Sequence, residues 1–189
     1  MKAMRFHEYG GPEVLRYEDA PDPVLARNAV LIEAHATSVN PHDWKSRSGA
    51  LQAVFPLQFP HIPGFDVSGT IRAIGEDVQG FQIGERVIAM AEATYAELVA
   101  VPAATVARLP EGLDPLDAAG LPTVVLTGDQ LIRNVIHVTA GQTVLVTAAL
   151  GSVGRAAVHV ANTLGARVIA GVRSRQLSEA AARYRNLRQ

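Results

Sequence analysis

Residues 143–175, "TVLVTAALGSVGRAAVHVANTLGARVIAGVRSR", decide the fold of the second part of the chain. The stretch begins with an apolar, β-branched run at 144–147, which predicts a strand. A turn of small residues follows, and the Ala- and Val-rich segment 153–164 predicts a helix. A second apolar run, 168–172, predicts another strand. Two strands joined through a helix form a βαβ unit, in which the strands lie parallel.

The turn between the first strand and the helix has the composition of a phosphate-binding loop. Gly151 lets the backbone approach a pyrophosphate without a Cβ in the way, and Gly154 lets the helix lie close to the sheet. The backbone amides of Gly151, Ser152, Val153 and Gly154, at the positive end of the helix dipole, are expected to face the phosphates. The glycine pattern alone is weak evidence, since Ala148 replaces the usual first glycine. The alternative is a βαβ turn that binds nothing.

The residues after the second strand discriminate between the two nicotinamide cofactors. NAD sites usually place an acidic residue there for the ribose 2′-hydroxyl, whereas arginine suits the 2′-phosphate of NADP. Here the strand runs into Arg173, Ser174 and Arg175, with no acidic residue nearby. We therefore predict that these three residues bind NADP(H). The alternative is a solvated arginine cluster, because residues 155–189 contain seven arginines and one acidic residue.

The preceding part of the chain has the pattern of a β-rich domain. Short runs of strand-forming residues alternate with turns that contain glycine and proline, for example around Gly80. This pattern predicts an antiparallel barrel or sandwich. It ends before Asp114, which with Pro115 predicts the start of a helix. We therefore expect two domains, residues 1–113 and 114–189.

The composition argues against several classes of protein. The 189 residues carry a formal net charge of −1, which does not favour nucleic acid or a membrane surface as a partner. The chain has no cysteine, so disulfides and thiolate zinc sites are excluded. The N-terminal sequence lacks the apolar segment of a signal peptide. Together these features predict a cytoplasmic protein.

Three further stretches, together with the glycine turn, resemble the zinc-independent quinone oxidoreductase branch of the medium-chain dehydrogenase/reductase superfamily. They are "SVNPHDWKSRSG" (38–49), "PHIPGFDVSGTIRAIGEDVQGFQIGERV" (60–87) and "AAGLPTVVLTGDQLI" (118–132). The second is the most specific, because many spacings agree at once. The resemblance extends to about Arg175. It implies a GroES-like antiparallel β-barrel domain followed by the start of a Rossmann (doubly wound) domain.

The resemblance also implies a site without zinc. Zinc-dependent members place a cysteine where this chain has Asn40, and His-Glu where it has Phe65-Asp66. Phenylalanine cannot ligate a metal, and catalytic zinc requires three protein ligands. His42 and His61 could face a cleft, but an ordinary surface or core position is the favoured interpretation of both.

By the same resemblance, the protein is expected to be an NADPH-dependent oxidoreductase that transfers hydride to a quinone or an α,β-unsaturated carbonyl compound. Negative charge develops on the carbonyl oxygen, so a donor placed there lowers the barrier. The resemblance makes Lys45 and Asn40 the catalytic candidates, and Asn40 and Thr127 additional cofactor contacts. Lys45 is equally well explained as a solvated helix lysine. Asn40 also suits the N-cap position before Pro41.

The chain is shorter than the resemblance leads us to expect. Only two strands of a doubly wound sheet are visible, 143–147 and 167–172, where about six are usual. A fragment of a longer enzyme, a natural truncation with a changed tail, and pairing of the unfinished sheet with another chain are three readings left open. An unpaired edge also permits a homo-oligomer. The alternative function is a catalytically incomplete remnant that acts as a binding or assembly module, or has no function.

Overall fold

The computed structural model describes residues 1–185. The chain forms two compact units, one from Met1 to Pro122 and one that begins at Thr123. The domain boundary expected after residue 113 stays a prediction. The Ala- and Arg-rich sequence "SEAAARYRNLRQ" (178–189) also predicts a final helix, of which residues 186–189 lie outside the described residues.

The first unit is built from antiparallel strands. β1 (Lys2–Arg5) pairs with β2 (Arg16–Asp19) in a small sheet. The larger sheet contains β3 (Ala29–Thr37), β4 (Asp66–Ile74), β5 (Arg86–Met90), β6 (Leu98–Pro102) and β7 (Val106–Arg108). Its strand order is β6-β3-β4-β5-β7, and every neighbouring pair is antiparallel. The predicted antiparallel β-rich domain is therefore confirmed.

Alternation of apolar residues along the strands produces the core of this unit. Val30 and Ile32 on β3 point to the same side, since side chains of a strand alternate between its two faces. They pack with Val67, Val87 and Val101 from the neighbouring strands, and all five are fully buried. The register between β3 and β4 is irregular at two places. Such irregularities increase local bend and twist, which suits a sheet curled into a half-barrel.

Two short helices complete the first unit. α1 (Pro41–Arg47) follows β3, and α2 (Pro115–Ala118) follows β7. The Asp114 side chain accepts a hydrogen bond of 2.7 Å from the backbone N–H of Leu116, which is the N-cap interaction expected at the start of α2.

The second unit contains the predicted βαβ arrangement. It comprises α3 (Pro122–Gln130), a π-helical turn (Leu131–Val135), β8 (Thr143–Thr147), α4 (Ser152–Thr163), β9 (Arg167–Gly171) and α5 (Leu177–Arg183). α3 begins at the last residue of the first unit. β8 and β9 pair in parallel from Thr143↔Arg167 to Thr147↔Gly171. The parallel strand pair predicted from residues 143–175 is confirmed.

The core of the second unit lies on one face of its two-stranded sheet. Val144 and Val146 of β8 are buried against Val158 and Ala161 of α4. Gly128 of α3 also allows close packing, because a Cβ there would lie 2.6 Å from the Cβ of Ala156 on α4.

The segment after α5 is tied back to the turn that precedes α4. The Tyr184 hydroxyl donates a 2.6 Å hydrogen bond to the carbonyl of Ala149. Burial raises the pKa of Tyr184, so its hydroxyl keeps the proton that this bond requires. Across residues 1–185, no helix has both the length and the apolar character needed to cross a membrane.

Candidate functional site

The first unit contains a cavity of about 520 Å³, a size typical of small-molecule sites. Its wall comes from α1, from the segment that leads into β4 and from the loop after β5. The wall contains both apolar and polar side chains. The apolar side chains include Val54, Phe55, Leu57, Ile62 and Phe65, and the polar ones are His42, Asp43, Ser46, Gln58, His61 and Glu92.

α1 presents three of these polar groups to the cavity. Asn40 precedes the helix with extended backbone angles, and Pro41 occupies the first turn. The Asp43 carboxylate accepts a 2.7 Å hydrogen bond from the backbone N–H of Asn40, so the helix start is fixed from both sides. His42, Asp43 and Ser46 then line the cavity.

Asn40 takes part in a buried polar cluster at the base of α1. Its side-chain amide donates to Asp66 Oδ2 at 2.8 Å and to Ser38 Oγ at 3.1 Å. The Ser38 hydroxyl donates to the same Asp66 oxygen. Asn40 and Asp66 are both buried, and an amide has two hydrogens to donate. Both are used here to hold the junction of β3 and α1 against β4.

Asp43 links α1 to Tyr95. Its Oδ2 accepts a hydrogen bond of 3.1 Å from the Tyr95 hydroxyl. Its Oδ1 is buried and has no hydrogen-bond partner among the described residues. Burial raises the pKa of Tyr95, and the neighbouring Asp43 carboxylate raises it further. Tyr95 therefore stays a hydrogen-bond donor at neutral pH.

His42 and His61, for which an ordinary surface or core position was the favoured interpretation, both line this cavity instead. His42 Nδ1 lies 3.1 Å from Ser46 Oγ, and the His42 ring meets the Phe65 ring edge-on at a centroid distance of 4.6 Å. Burial lowers the pKa of His61, and the nearby His42 lowers it further, against the opposite effect of Glu92. No sequence pattern marked these residues, because they are far apart along the chain and have no ligand spacing.

Lys45 does not belong to the cavity wall. Its side chain is exposed on α1, and Nζ lies 5.5 Å from the centroid of the Trp44 ring. Successive helix residues are turned by about 100°, so Lys45 points roughly opposite to Asp43. The structure therefore places the two catalytic candidates apart, with Asn40 buried and Lys45 in solvent.

The second unit has a cavity of about 420 Å³ at the turn between β8 and α4. Gly151 caps α4 with an extended conformation and is exposed. Its N–H is used within the turn, since it donates to the Ala148 carbonyl at 2.8 Å. Gly151 thus contributes open space at this turn and not a free N–H. Ser152, Val153 and Gly154 occupy the first turn of α4, where backbone N–H groups lack intrahelical acceptors. The full wall is Thr147, Ala148, Leu150, Gly151, Gly171, Val172, Arg173 and Gln176.

Gly154 allows α4 to start close to the strand. A Cβ at this position would lie 2.3 Å from the Ala148 carbonyl oxygen and 2.9 Å from Ala149 Cα. Ala148 itself adopts a positive φ of 51°, which is uncommon for a residue with a side chain. The tight turn therefore depends on both a strained alanine and a glycine.

Of the three residues expected to bind a 2′-phosphate, Arg173 lines this cavity. Ser174 and Arg175 lie in the following 3-10 turn and are exposed. Gln176 also lines the cavity, although the sequence did not mark it, and its N–H donates to the Arg173 carbonyl at 2.8 Å. Thr127 lies elsewhere, on α3, and its hydroxyl donates to the Thr123 carbonyl at 2.6 Å.

A metal site is not apparent in the part of the chain that the structure describes. Within residues 1–185, no three His, Asp or Glu side chains are grouped so that they could hold a metal ion. Asn40 and Phe65, which stand at the positions of zinc ligands in the zinc-dependent enzymes, lie in the polar cluster and in the apolar cavity wall.

Comparison with known proteins identifies the relatives of this chain. Residues 26–111 match the alcohol dehydrogenase GroES-like domain. The quinone oxidoreductase of Pongo abelii is 38% identical over 172 residues, which cover 89% of this chain and 52% of the relative. The chain therefore spans about half the length of the curated relatives it matches.

Solved structures similar to this chain also include quinone oxidoreductases. The quinone oxidoreductase from Coxiella burnetii has a TM-score of 0.81 and 35% identity, over 96% of this chain and 59% of that one. A mycobacterial protein solved in complex with NADPH has a TM-score of 0.82 and 34% identity, over 97% of this chain and 56% of that one. The expected fold class, a GroES-like domain followed by the start of a Rossmann domain, is confirmed. The chain contains a GroES-like domain and is homologous to quinone oxidoreductases of the medium-chain dehydrogenase/reductase superfamily.

Proposed function

We propose that this protein is a zinc-independent, NADPH-dependent oxidoreductase that reduces a quinone or an α,β-unsaturated carbonyl compound. One observation carries the proposal. The turn between β8 and α4 is open, with a cavity beside it and Arg173 in the cavity wall, in a chain homologous to quinone oxidoreductases.

The nucleotide is expected to bind at this turn. Backbone N–H groups of Ser152, Val153 and Gly154 would face the pyrophosphate, where the helix dipole favours negative charge. Gly151 provides room for close approach of the phosphates. Arg173 would bind the 2′-phosphate through its guanidinium group. When bound, the reduced nicotinamide supplies a hydride to the carbonyl compound.

The remaining residues expected at the 2′-phosphate and the nicotinamide have supporting roles in the proposal. Ser174 and Arg175 follow Arg173 directly and would extend its positive, hydrogen-bonding surface. Gln176, as a neutral donor in the cavity wall, would contact the ribose or its phosphate. Thr127 remains a cofactor contact by family resemblance alone, since its hydroxyl is engaged within α3.

The cavity of the first unit is the proposed carbonyl site. Aromatic side chains line it, and planar rings pack well against such walls. Asn40 would act by holding α1 in place, because its amide hydrogens are already bonded to Asp66 and Ser38. Lys45, exposed on the same helix and outside this cavity wall, would act through the ribose hydroxyls of the nucleotide, as the family resemblance implies.

Cofactor titration followed by a turnover assay tests this function. NADPH and NADH are titrated into the 189-residue chain while nicotinamide fluorescence is followed, and then a quinone is added and the loss of nicotinamide absorbance is recorded. We expect NADPH binding and turnover. Failure to bind NADPH would contradict the proposal, whereas binding without turnover would support the alternative of a non-catalytic binding module.

Replacement of Lys45 by alanine tests its role. We expect Lys45→Ala to lower turnover about tenfold with little change in NADPH affinity, less than the about 10²–10³ of an enclosed oxyanion donor, because the side chain is exposed. Lys45→Arg keeps the positive charge and serves as the matched control. Equal loss of turnover and affinity, or loss of neither, would remove Lys45 from this role.

A further inference from the structure

We propose that His42, oriented by Ser46, donates the hydrogen bond that holds the oxygen of an aromatic carbonyl ligand in the cavity of the first unit. The inference deepens the proposed function and rests on it for the class of ligand. It concerns binding of the ligand by side chains of the first unit, so it is tested without the nucleotide.

We infer that the Ser46 hydroxyl is the donor in its contact with Nδ1 of His42, and this direction sets which ring nitrogen carries hydrogen. Ser46 lies one helical turn after His42, is buried, and places its Oγ 3.1 Å from Nδ1. A serine hydroxyl that donates to Nδ1 leaves the ring hydrogen on Nε2. None of residues 1–185 forms a hydrogen bond with Nε2. The ring therefore offers one unused donor, at its far end from Ser46.

Aromatic contacts hold the His42 ring on its other sides. The Phe65 ring stands nearly perpendicular to it at a centroid distance of 4.6 Å, and the Phe55 ring lies 6.0 Å away. These contacts and the Ser46 bond restrict rotation of the imidazole. A donor held in place within an apolar cavity gives orientation as well as affinity to a ligand.

The other titratable groups of the cavity direct a carbonyl oxygen towards the histidines. Asp43 and Glu92 have carboxylates, which accept hydrogen bonds and repel an electron-rich oxygen. His61 is the second imidazole of the wall, and burial lowers its pKa. Its ring packs edge-on against Phe6 at 5.3 Å. His42 is the better placed donor, because a defined partner fixes its Nδ1.

The same hydrogen bond would assist reduction. A carbonyl oxygen gains negative charge when hydride is delivered, and a donor already aimed at that oxygen stabilises the charge more strongly than the neutral ligand. His42 therefore qualifies as a catalytic residue in the proposed reaction, and Ser46 as a positioning residue.

Calorimetric titration with 1,4-naphthoquinone, in the absence of nucleotide, tests the inference. His42→Phe keeps a planar ring against Phe65 and removes the donor, and we expect about three- to tenfold weaker binding. Ser46→Ala should weaken binding about twofold, and His42→Gln, which keeps an N–H donor, should recover part of the loss. His159→Phe, at an exposed position of α4, is the control and should bind as the unaltered chain does.

A second measurement does not depend on any variant. Nitrogen-15 NMR of the histidine side chains should find His42 with hydrogen on Nε2, and its Nε2 signal should move when the quinone is added. Hydrogen on Nδ1 alone would overturn the inference. So would equal quinone affinity of His42→Phe and the unaltered chain, or no measurable quinone binding.

The two proposals fail in different ways. Quinone binding that depends on His42, in a chain that never oxidises NADPH, would overturn the proposed function and keep this inference. NADPH oxidation that is unaffected by His42→Phe in both KM and kcat would keep the function and overturn the inference.

Discussion

The two units of this protein bury their sheets to different extents. In the first, Ile32 lies on β3, an interior strand of a five-stranded sheet, and is 0% exposed. In the second, Leu145 occupies the middle of β8, yet it is 62% exposed, and Ile169 of β9 is 48% exposed. Parallel sheets are normally covered on both faces, whereas here α4 covers one. The apolar pattern of β8 and β9 thus suits two covered faces, of which the described structure shows one.

The cavities of the two units also differ in how they are built. The cavity of the first unit is made of side chains from residues 42–65 together with the loop at Glu92 and Ala93. The cavity of the second unit is made largely of backbone from one turn, together with the residues just after β9. The first cavity depends on how the sheet curls, whereas the second depends on the local geometry of one turn. Substitutions of similar size should therefore have different consequences in the two units.

The largest effect is expected in the core of the first unit. Ile32→Ala should lower the free energy of unfolding by about 2–5 kcal/mol, because the buried side chains around it can only partly fill the cavity that it leaves. Leu145→Ala, in the middle of β8, should change it by less than about 0.5 kcal/mol. Urea unfolding, followed by the fluorescence of Trp44 in the first unit and by circular dichroism, measures both. A loss at Leu145 comparable to that at Ile32 would mean that the second face of the sheet is covered in solution.

A smaller effect is expected at the nucleotide turn. Gly154→Ala places a Cβ 2.3 Å from the Ala148 carbonyl oxygen, so the turn must shift, at a cost of about 1–3 kcal/mol. We expect NADPH affinity to fall about tenfold or more while unfolding of the first unit is unchanged.

Gly120→Ala is the matched control for this change. A Cβ there would meet its nearest neighbour, the Asp117 carbonyl oxygen, at 3.5 Å, which is ordinary contact. Unchanged NADPH affinity in Gly154→Ala would show that the start of α4 does not bind the phosphates.

Arg173 and Arg175 are both exposed, but Arg173 lines the cavity of the second unit and Arg175 does not. Arg173→Ala should weaken NADPH binding about tenfold, as expected for a lost hydrogen bond between charged groups, and leave NADH binding nearly unchanged. Arg175→Ala should change NADPH affinity by less than about twofold. Parallel fluorescence titrations with both nucleotides measure this, and equal losses with NADH and NADPH would contradict a role at the 2′-phosphate.

The smallest effect concerns pH and the cavity of the first unit. The pKa of His61 is lowered in the folded protein, so the unfolded chain binds a proton more readily than the folded one. The contribution of His61 to stability is therefore complete above about pH 6.5, the ordinary histidine pKa, and is lost as the pH falls below it.

Unfolding curves at pH 7.5 and 5.5 measure this contribution. His61→Gln should reduce the difference in stability between the two pH values, whereas His159→Gln, at an exposed position, should not. If the difference in stability between the two pH values is the same in the unaltered chain and in both variants, His61 titrates alike in the folded and unfolded chains.

Sequence patterns predicted the second unit better than the cavity of the first. The strand, turn and helix of residues 143–164 are consecutive in sequence. Small residues such as Gly154 therefore indicate the geometry of the turn, because that geometry is determined within one segment. The wall of the other cavity joins His42 to His61 and Glu92, and only the curl of the sheet brings these together. Nothing in their local sequence marks a shared site.

The case of α1 shows why residue roles were harder to predict than elements. Its N-cap at Asn40 was readable from the Asn-Pro pair. Its rotation was not, because a seven-residue helix with two buried polar residues, Asp43 and Ser46, has no apolar stripe to mark the inner face. Lys45 was therefore predicted from the family resemblance alone, whereas His42, three positions earlier, lines the cavity.

Finally, the bond between Tyr184 and the Ala149 carbonyl limits how far the protein can be shortened from its C-terminal side. Ala149 lies between β8 and α4, so any shorter version that removes Tyr184 also removes a clamp on the glycine turn. Engineered domains or protein fusions based on this unit should keep the chain through Tyr184, even though the strand pair itself ends at Gly171.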